Sequence, residues 1–157
     1  MTELLVQEQK YIDDCRRVHK GRKISAVEGN KIIGQVRYIE WNGDIYQNNG
    51  LNTAMLKLTP DEGFEIFVDR KNRNEGVGKD LITKLIDELQ KNGYDQLIIR
   101  GATETAKGFY DKMFERLLEN NKITFFSSQI EDHSCNVIDF LYYIRLPNQN
   151  KNKPSFN

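Results

Sequence analysis

The sequence has few of the features that mark secreted, membrane-spanning or polyanion-binding proteins. Its only cysteines are Cys15 and Cys135, too few for a disulfide framework, which favours a reducing, cytoplasmic setting. No apolar run approaches the roughly 20 residues of a membrane-spanning helix, and residues 1–5 lack the basic and apolar regions of a signal peptide. Because 23 Lys and Arg residues balance 23 Asp and Glu residues, nucleic acid is not expected as a partner. The lack of a long apolar run means that no membrane partner is expected.

What is present fits one domain. A chain of 157 residues can bury one sizeable core but not two. We expect a single domain over 1–146 and a polar, flexible tail over 147–157. Basic residues concentrate in 10–23, where six Lys or Arg residues outnumber two Asp residues, a local charge of +4. Such a cluster is typical of a solvated face, and contact with an acidic partner is the alternative.

The first third of the chain predicts a helix followed by a hairpin. Apolar residues recur at helical spacing near the start and predict an N-terminal helix, with a short strand before it left open. These residues are Leu4, Tyr11, Ile12, Cys15 and Val18. Residues 24–28 and 31–39 flank Gly29-Asn30 and predict a β-hairpin, because this two-residue loop can supply the positive φ that a tight turn needs. The pattern of residues 42–59, rich in Asn and Gly, predicts no particular element.

The rest of the chain predicts a βαβ unit, a helix and two antiparallel strands. A strand over 64–68 leads through a polar loop to a helix that ends at Gly93, and a second strand covers 95–100. The apolar face of this helix consists of Leu81, Ile82, Leu85, Ile86 and Leu89. The apolar stripe of the next helix, which Asn120-Asn121 ends, consists of Ala106, Phe109, Tyr110, Met113, Phe114 and Leu117. Strands over 123–127 and 137–146 follow. The predicted class is α/β, with a mixed, mostly antiparallel sheet flanked by helices and a central βαβ unit.

The stretch that indicates chemistry is Arg73–Lys79, between a predicted strand and a predicted helix. Two known phosphate-binding motifs do not fit it. A P-loop would need glycine at position 73 and a hydroxyl residue at position 80, where the chain has Arg73 and Asp80. A dinucleotide-binding fingerprint would need a third glycine, where Leu81 stands.

The same stretch nevertheless suits one small anion. Its glycines allow backbone N–H groups to approach a ligand without a Cβ in the way. The start of the following helix adds N–H donors and a partial positive charge. Four basic residues against two acidic ones give the window 69–79 a local charge of +2.

The pattern Val68-x-x-x-x-Arg73-x-x-Gly76-x-Gly78 resembles the pyrophosphate-binding loop of the GNAT superfamily of N-acetyltransferases, whose motif is Gln/Arg-x-x-Gly-x-Gly/Ala after a strand ending in Val. Two further segments resemble the same family. Residues 26–34 resemble the strand pair before the cofactor strand, and residues 106–112 resemble a later helix whose Ala-x-x-Phe-Tyr often supplies an acidic Tyr. The resemblance extends over about residues 24–146.

The resemblance implies a GNAT-like fold, acetyl-CoA as cosubstrate, and a primary amine as acceptor. Backbone amides of the glycine-rich loop would hold the pyrophosphate; its residues are Arg73, Asn74, Glu75, Gly76, Val77, Gly78 and Lys79. The strand edge at Phe67 and Val68 would pair with the pantetheine arm. Thr103 stands where the family often has Asn and is assigned to cofactor binding.

The resemblance also implies catalytic roles. Tyr110 would protonate the departing CoA thiolate as a general acid. Glu62 or Glu65 would deprotonate the amine, directly or through water. In a regular strand these two residues point to opposite faces, so at most one of them faces the substrate.

Three alternatives remain open from the sequence. One is a GNAT-like module that binds acyl-CoA or docks a partner without catalysis. Another is an acetyltransferase that the +4 segment at 10–23 directs to RNA or to a nucleoprotein. The third is a zinc site built from Cys15-x-x-x-His19 and His133-x-Cys135, but nothing in the sequence brings these pairs together, so no metal is assigned. The final strands are candidates for a homodimer contact.

Overall fold

The computed structural model describes residues 2–12, 15–41, 51–57, 66–73, 75–134 and 137–147. The strands are β1 (Thr2–Ile12), β2 (Val18–Glu28), β3 (Lys31–Trp41), β4 (Thr53–Lys57), β5 (Ile66–Val68), β6 (Gln96–Thr103), β7 (Phe125–Ser134) and β8 (Val137–Arg145). The helices are α1 (Val77–Lys91) and α2 (Glu104–Glu119), and a 3-10 turn covers Arg70–Asn72. The predicted tail lies outside the described residues from position 148 onward.

The described strands form one mixed sheet in the order β1-β2-β3-β4-β6-β8-β7, with β5 also paired to β3. Strands β4 and β6 run parallel, and the other described pairs are antiparallel. Helix α1 connects the end of β5 to the start of β6. This arrangement confirms the predicted fold class.

The predicted N-terminal helix is wrong. Residues 2–12 form β1, which pairs with β2 over eleven rungs from Thr2↔Glu28 to Ile12↔Val18. Leu4 and Val6 pack against the core, whereas Leu5 between them is 46% exposed, which is the alternation of a strand. The apolar residues that suggested helical spacing are too sparse to outweigh the hydrogen bonds and packing that β2 offers.

The predicted hairpin is confirmed and is longer than expected. Glu28 pairs with Lys31, so Gly29 and Asn30 form the two-residue loop. Gly29 has φ 64°, and of the two loop residues only Gly29 is in the positive-φ region, as in a type II′ turn. The loop therefore joins two strands of 11 residues each.

The other two predicted helices, α1 and α2, are confirmed, and they pack on the same face of the sheet. One core cluster contains the buried stripes of α1 and α2 together with Leu97 and Ile99 of β6. The intervening residue Ile98 belongs to a separate cluster with Ile39, Met55 and Leu141 on the opposite face. Among the described residues, no helix is long and apolar enough to cross a membrane.

Both helices also end in the way that the sequence indicates. Gly93 follows α1 with φ 81°, and the N–H of Tyr94 bonds to the carbonyl of Leu89 at 3.0 Å. Asn121 follows α2 with φ 59°, and the N–H of Lys122 bonds to the carbonyl of Leu117 at 2.8 Å. These are Schellman-type ends, which need a residue that tolerates the left-handed region.

Candidate cofactor and active site

A gap opens in the sheet between the end of β5 and the end of β6. Strand β3 pairs with β2 along one edge. Along its other edge, β3 pairs with β4 at Ile39–Trp41 and with β5 at Gly34–Val36. Strand β6 pairs with β4 only as far as Arg100. The parallel ends of β5 and β6 are therefore neighbours, but no pairing joins them among the described residues. Their facing backbone edges can accept an extended ligand.

A bulge in β6 lies beside this gap. The register between β6 and β8 shifts between Ile99 and Ala102, so β6 carries one extra residue there. Gly101 in this segment has φ 76°, a conformation that suits glycine. Arg100, the last residue of β6 that pairs with β4, lies within this bulge.

The loop after β5 is fastened to the sheet at its first residue. The N–H of Asp69 bonds to the carbonyl of Ile33 at 2.6 Å, and Lys31 forms an ion pair with the Asp69 carboxylate at 2.9 Å. The hydrogen bond from Lys31 is the main cause that lowers the pKa of Asp69. Arg73 is exposed, and its Nε donates to the carbonyl of Val68 at 3.2 Å. These contacts fold the loop back over the end of β5.

The start of α1 presents unused backbone donors. Gly76 is the N-cap residue with φ 83°, and the N–H of Asp80 makes the first helical bond, to the Gly76 carbonyl at 3.0 Å. The N–H groups of Val77, Gly78 and Lys79 therefore have no acceptor within the helix. Because the N-cap is glycine, no N-cap side chain accepts from them either. Such a helix start attracts an anion.

Gly78 lies against α2 and β5. A Cβ added at Gly78 would stand 3.2 Å from Cζ of Phe109 and 3.8 Å from Cγ2 of Val68. The glycine thus allows the loop, the strand end and the second helix to meet closely. This contact brings the predicted cofactor residues Val68 and Gly78 next to the helix that carries Tyr110.

Tyr110 occupies an aromatic cluster on the inner face of α2. It is 2% exposed, and its ring lies 5.3 Å from Phe109, 6.0 Å from Phe114 and 5.7 Å from Tyr142, measured between ring centroids. Burial raises the pKa of its hydroxyl far above the ordinary value of 10.0. The phenol is therefore protonated at neutral pH.

A polar group beside this cluster was not predicted from the sequence. The Tyr142 hydroxyl donates to Oδ1 of Asp111 at 2.7 Å, and Lys107 bonds to Oδ2 of the same carboxylate at 2.6 Å. Burial, and then the bond to Asp111, raise the pKa of Tyr142. The i,i+4 spacing of Lys107 and Asp111 is visible in the sequence. Their link to a strand 31 residues beyond Asp111 is not.

Thr103 lies at the junction of β6 and α2. It is exposed, and its Oγ1 accepts a hydrogen bond from the N–H of Ala106 at 3.2 Å, which makes it the N-cap of α2. The cap places Thr103 at the gap end of β6, two residues after the Gly101 bulge. Its predicted role toward the cofactor stays a prediction.

Some predicted residues lie outside the described residues. Glu62 and Glu65 fall between β4 and β5, and Asn74 falls within the loop. Phe67 is described in the backbone of β5 only, opposite Gln35. The structure places Val68 at the end of β5, Gly76 and Gly78 at the start of α1, and Thr103 at the end of β6. Tyr110 lies beside Phe109, which contacts Gly78, and the roles assigned to these residues stay predictions.

The zinc alternative finds no support in the described part of the chain. His19 lies in β2, so it does not share a helical face with Cys15, which is exposed in the preceding turn. Cys135 is outside the described residues. Within the described residues, no three His, Cys, Asp or Glu side chains are grouped to hold a metal ion.

Three solved structures from bacteria are similar to this chain in fold. The ribosomal-protein-S18-alanine N-acetyltransferase from Escherichia coli is 18% identical with a TM-score of 0.55, over 87% of this chain and 75% of that one. The structure of yncA from Salmonella typhimurium with its cofactor acetyl-CoA is 14% identical with a TM-score of 0.55, over 87% and 69%. An N-acetyltransferase from Staphylococcus aureus Mu50 is 18% identical with a TM-score of 0.52, over 80% and 67%. At these identities the likeness concerns the fold alone.

No curated protein matches the sequence closely enough to count as a relative. The family model described as "Acetyltransferase (GNAT) family" matches residues 2–114, which is more than half of the chain. The matched segment includes the gap between β5 and β6, the glycine-rich loop and Tyr110. The chain belongs to the GNAT family of acetyltransferases.

Proposed function

We propose that the protein transfers an acetyl group from acetyl-CoA to a primary amine by direct attack of the amine on the thioester. The observation that carries this proposal is the continuity of three features. The unpaired edges of β5 and β6 lead to the start of α1, where the glycine-rich loop presents its backbone donors. Acetyl-CoA has an extended arm attached to a pyrophosphate, so its arm fits the strand edges and its pyrophosphate fits the helix start.

Each part of the loop has a role in holding the cosubstrate. The N–H groups of Val77, Gly78 and Lys79 bind pyrophosphate oxygens, and the side chains of Arg73 and Lys79 add positive charge. The free edge of β5 at Phe67 and Val68 pairs with the amides of the pantetheine arm. A backbone N–H at this edge stabilises the negative charge that develops on the thioester oxygen.

The reaction needs two proton movements. The amine nitrogen forms a bond to the carbonyl carbon, the carbon–sulfur bond breaks, and the electron pair leaves with sulfur. Tyr110 gives a proton to the departing thiolate, and its buried phenol is held in the protonated form that this step requires. Glu62 or Glu65 takes the proton that the amine loses. The acceptor belongs to the class of amines, as small molecule or as a peptide or protein.

Replacement of the Tyr110 hydroxyl tests this mechanism. Tyr110→Phe keeps the ring in its aromatic cluster and removes the acid, so kcat is expected to fall on the order of 10²-fold. Affinity for acetyl-CoA, measured by calorimetry, should change less than about two-fold, a small fraction of the free energy of binding. Tyr94→Phe is the matched control, because Tyr94 is also buried but lies at the far end of α1. An unchanged kcat in Tyr110→Phe would remove this residue from the mechanism.

A second candidate function is a module that binds acyl-CoA without catalysis. The observation that favours it is the packing of Tyr110, which is as buried as an ordinary core residue. Such a module would bind acetyl-CoA but release no free CoA thiol with any amine. Thiol release that depends on both the amine and the Tyr110 hydroxyl would decide in favour of catalysis.

A further inference from the structure

A pocket lies at the end of α1 that is far from the glycine-rich loop. Its volume is about 440 Å³, and its walls come from β1, β2, β3 and the residues that follow α1. A strand of 11 residues spans about 37 Å, whereas a helix of 15 residues spans about 22 Å, so β1 and β2 extend beyond α1. Asn92 lines the pocket at the end of α1, and the charged lining residues are Glu8, Lys10, Lys20 and Arg22.

These charged side chains continue the face of the sheet that α1 covers. Val6 of β1 and Ile24 of β2 pack in the core under the helices. Every second residue of a strand shares a face, so this face continues along both strands toward the turn between them. The residues that carry it beyond the end of α1 are Glu8, Lys10, Lys20 and Arg22.

The two rungs of β1 and β2 that face the pocket differ in charge. Glu8 pairs in register with Arg22, and their side chains form an ion pair at 3.5 Å. Lys10 pairs in register with Lys20, which sets two like charges opposite each other and destabilises the strand pair. Within the described residues, neither lysine forms an ion pair. Folding therefore explains the first rung and leaves the second unexplained.

The guanidinium of Arg22 keeps N–H donors for a ligand. It lies 3.5 Å from the carboxylate of Glu8 and 3.8 Å from that of Glu88 on α1. Both distances are longer than the ~2.7–2.9 Å of a charge-assisted hydrogen bond. The Arg22 side chain is 23% exposed, so a molecule in the pocket can reach it.

We propose that this pocket is a second binding site, for a small organic molecule that carries two anionic groups. Three cations against one carboxylate give the charged lining residues a net charge of +2. One anionic group lies between Lys10 and Lys20 and offsets their repulsion. The other contacts Arg22, two residues or about 7 Å along β2 from Lys20. The volume lies within the ~300–1,000 Å³ of sites that enclose a small molecule.

The occupant of this pocket differs from both reactants of the proposed acetyl transfer. The start of α1, which is proposed to hold the pyrophosphate, lies at the other end of a helix about 22 Å long. A cationic amine would be repelled by a lining of net charge +2. The inference therefore does not rest on the proposed function.

The test uses three probes with two or more anionic groups, namely glutarate, citrate and phosphoglycolate, and acetate as a probe with one. An NMR titration of the isotope-labelled full chain follows the amide signals of Gly21, which lines the pocket, and of Gly78, at the start of α1. At least one of the three probes should shift the Gly21 signal saturably, with an affinity about ten-fold or more above that of acetate, because a second charged contact is made. The comparison of glutarate with phosphoglycolate shows whether the site prefers a carboxylate or a phosphate.

Two double variants locate the binding. Lys10→Gln with Lys20→Gln should weaken the binding that Gly21 reports by about ten-fold or more. Its melting temperature without ligand should be equal or higher, because the repulsion between the two lysines is lost. Lys23→Gln with Arg145→Gln is the matched control, since it removes two positive charges that do not line the pocket, and it should bind the probes as the unchanged protein does.

Three results would overturn the proposal. One is the absence of a saturable Gly21 shift with all three probes, including the case in which only the Gly78 signal moves. Another is equal affinity in the variant that lacks Lys10 and Lys20. The third is a lower melting temperature of that variant, which would show that the two lysines stabilise the fold. Each of these results leaves the proposed acetyl transfer untouched.

Discussion

Gly76 and Gly93 form a natural pair for testing the phosphate loop, because they stand at opposite ends of α1. Gly76 is the N-cap residue with φ 83°, and Gly93 follows the last turn with φ 81°. A Cβ added at either position meets no atom within 4 Å. Alanine therefore causes no clash at either site, and the effect on stability comes from the backbone conformation.

The expected loss of stability is similar at the two sites. A non-glycine residue in the left-handed region costs roughly 1–2 kcal/mol, and alanine recovers about 0.4–1 kcal/mol by restricting the unfolded chain. The free energy of unfolding should thus fall by about 0.5–1 kcal/mol in each variant. For a chain of this size that corresponds to a melting temperature lower by about 1–4 °C. Thermal unfolding without ligand measures both shifts.

The two variants should differ in ligand binding. Gly76→Ala disturbs the backbone that directs the donors of the phosphate loop, so its affinity for CoA should fall about ten-fold or more. Gly93→Ala leaves that end of the helix untouched and should bind CoA as the unchanged protein does. Calorimetry measures both affinities. If Gly76→Ala bound CoA normally, or if Gly93→Ala lost as much affinity, the assignment of the phosphate site to the start of α1 would be refuted.

Three other predictions concern single side chains. Thr103→Ala removes the N-cap of α2 and should lower the free energy of unfolding by about 1 kcal/mol in a denaturant titration, whereas Thr103→Ser should not. An unchanged free energy of unfolding in Thr103→Ala would contradict the capping role. Arg73→Gln should weaken CoA binding at low salt, with a difference from the unchanged protein that shrinks as salt screens the charge; a difference independent of salt would speak against a charge contact. Burial raises the pKa of Tyr110 above 10.0, so its hydroxyl ionises in the unfolded chain at a lower pH than in the folded protein. The free energy of unfolding should therefore be constant in this respect below about pH 10 and fall above it, by up to about 1.4 kcal/mol per pH unit. Tyr110→Phe should make this decline shallower, and an equal decline in that variant would contradict the raised pKa.

Elements with a strong local signal were predicted from the sequence. The apolar stripe of α1, which includes Leu81 and Leu85, is fully buried as the 3.6-residue period requires. Gly93 and Asn121 end the helices because they tolerate positive φ. The glycine-rich loop follows β5 at the predicted place because strand, glycines and helix start are all local features.

Elements that depend on distant partners were missed. Strand β1 is sparse in apolar residues and is held by its pairing with β2, which no local pattern shows. Strand β4 is central and buried on both faces, so Ala54, Met55 and Leu56 lack the alternation of a half-exposed strand. Ala and Leu also carry little strand preference.

A groove between α1 and α2 is lined by Lys79, Lys112 and Arg116, and its charge was hidden in the sequence for a similar reason. Residues 104–122 contain four basic and four acidic residues, so the local net charge is zero. Only the helical arrangement places Lys112 and Arg116 on the groove side and Glu115 and Glu119 outside its lining. A helical projection of α2 would have shown that Lys112 and Arg116 share a face, because they are four residues apart. The contribution of Lys79 from another helix depends on the tertiary fold.

Release of free CoA thiol measures whether this chain acetylates amines with acetyl-CoA, because each transfer of an acetyl group leaves one thiol. The purified protein is incubated with acetyl-CoA and a panel of amines that includes small polyamines, aminoglycosides, peptide N-termini and lysine-containing peptides, and free CoA thiol is measured over time. Release should exceed the rate without enzyme for at least one amine class, and Tyr110→Phe should strongly reduce that release. Acetyl-CoA binding without amine-dependent release across the whole panel would refute acetyl transfer to these amines.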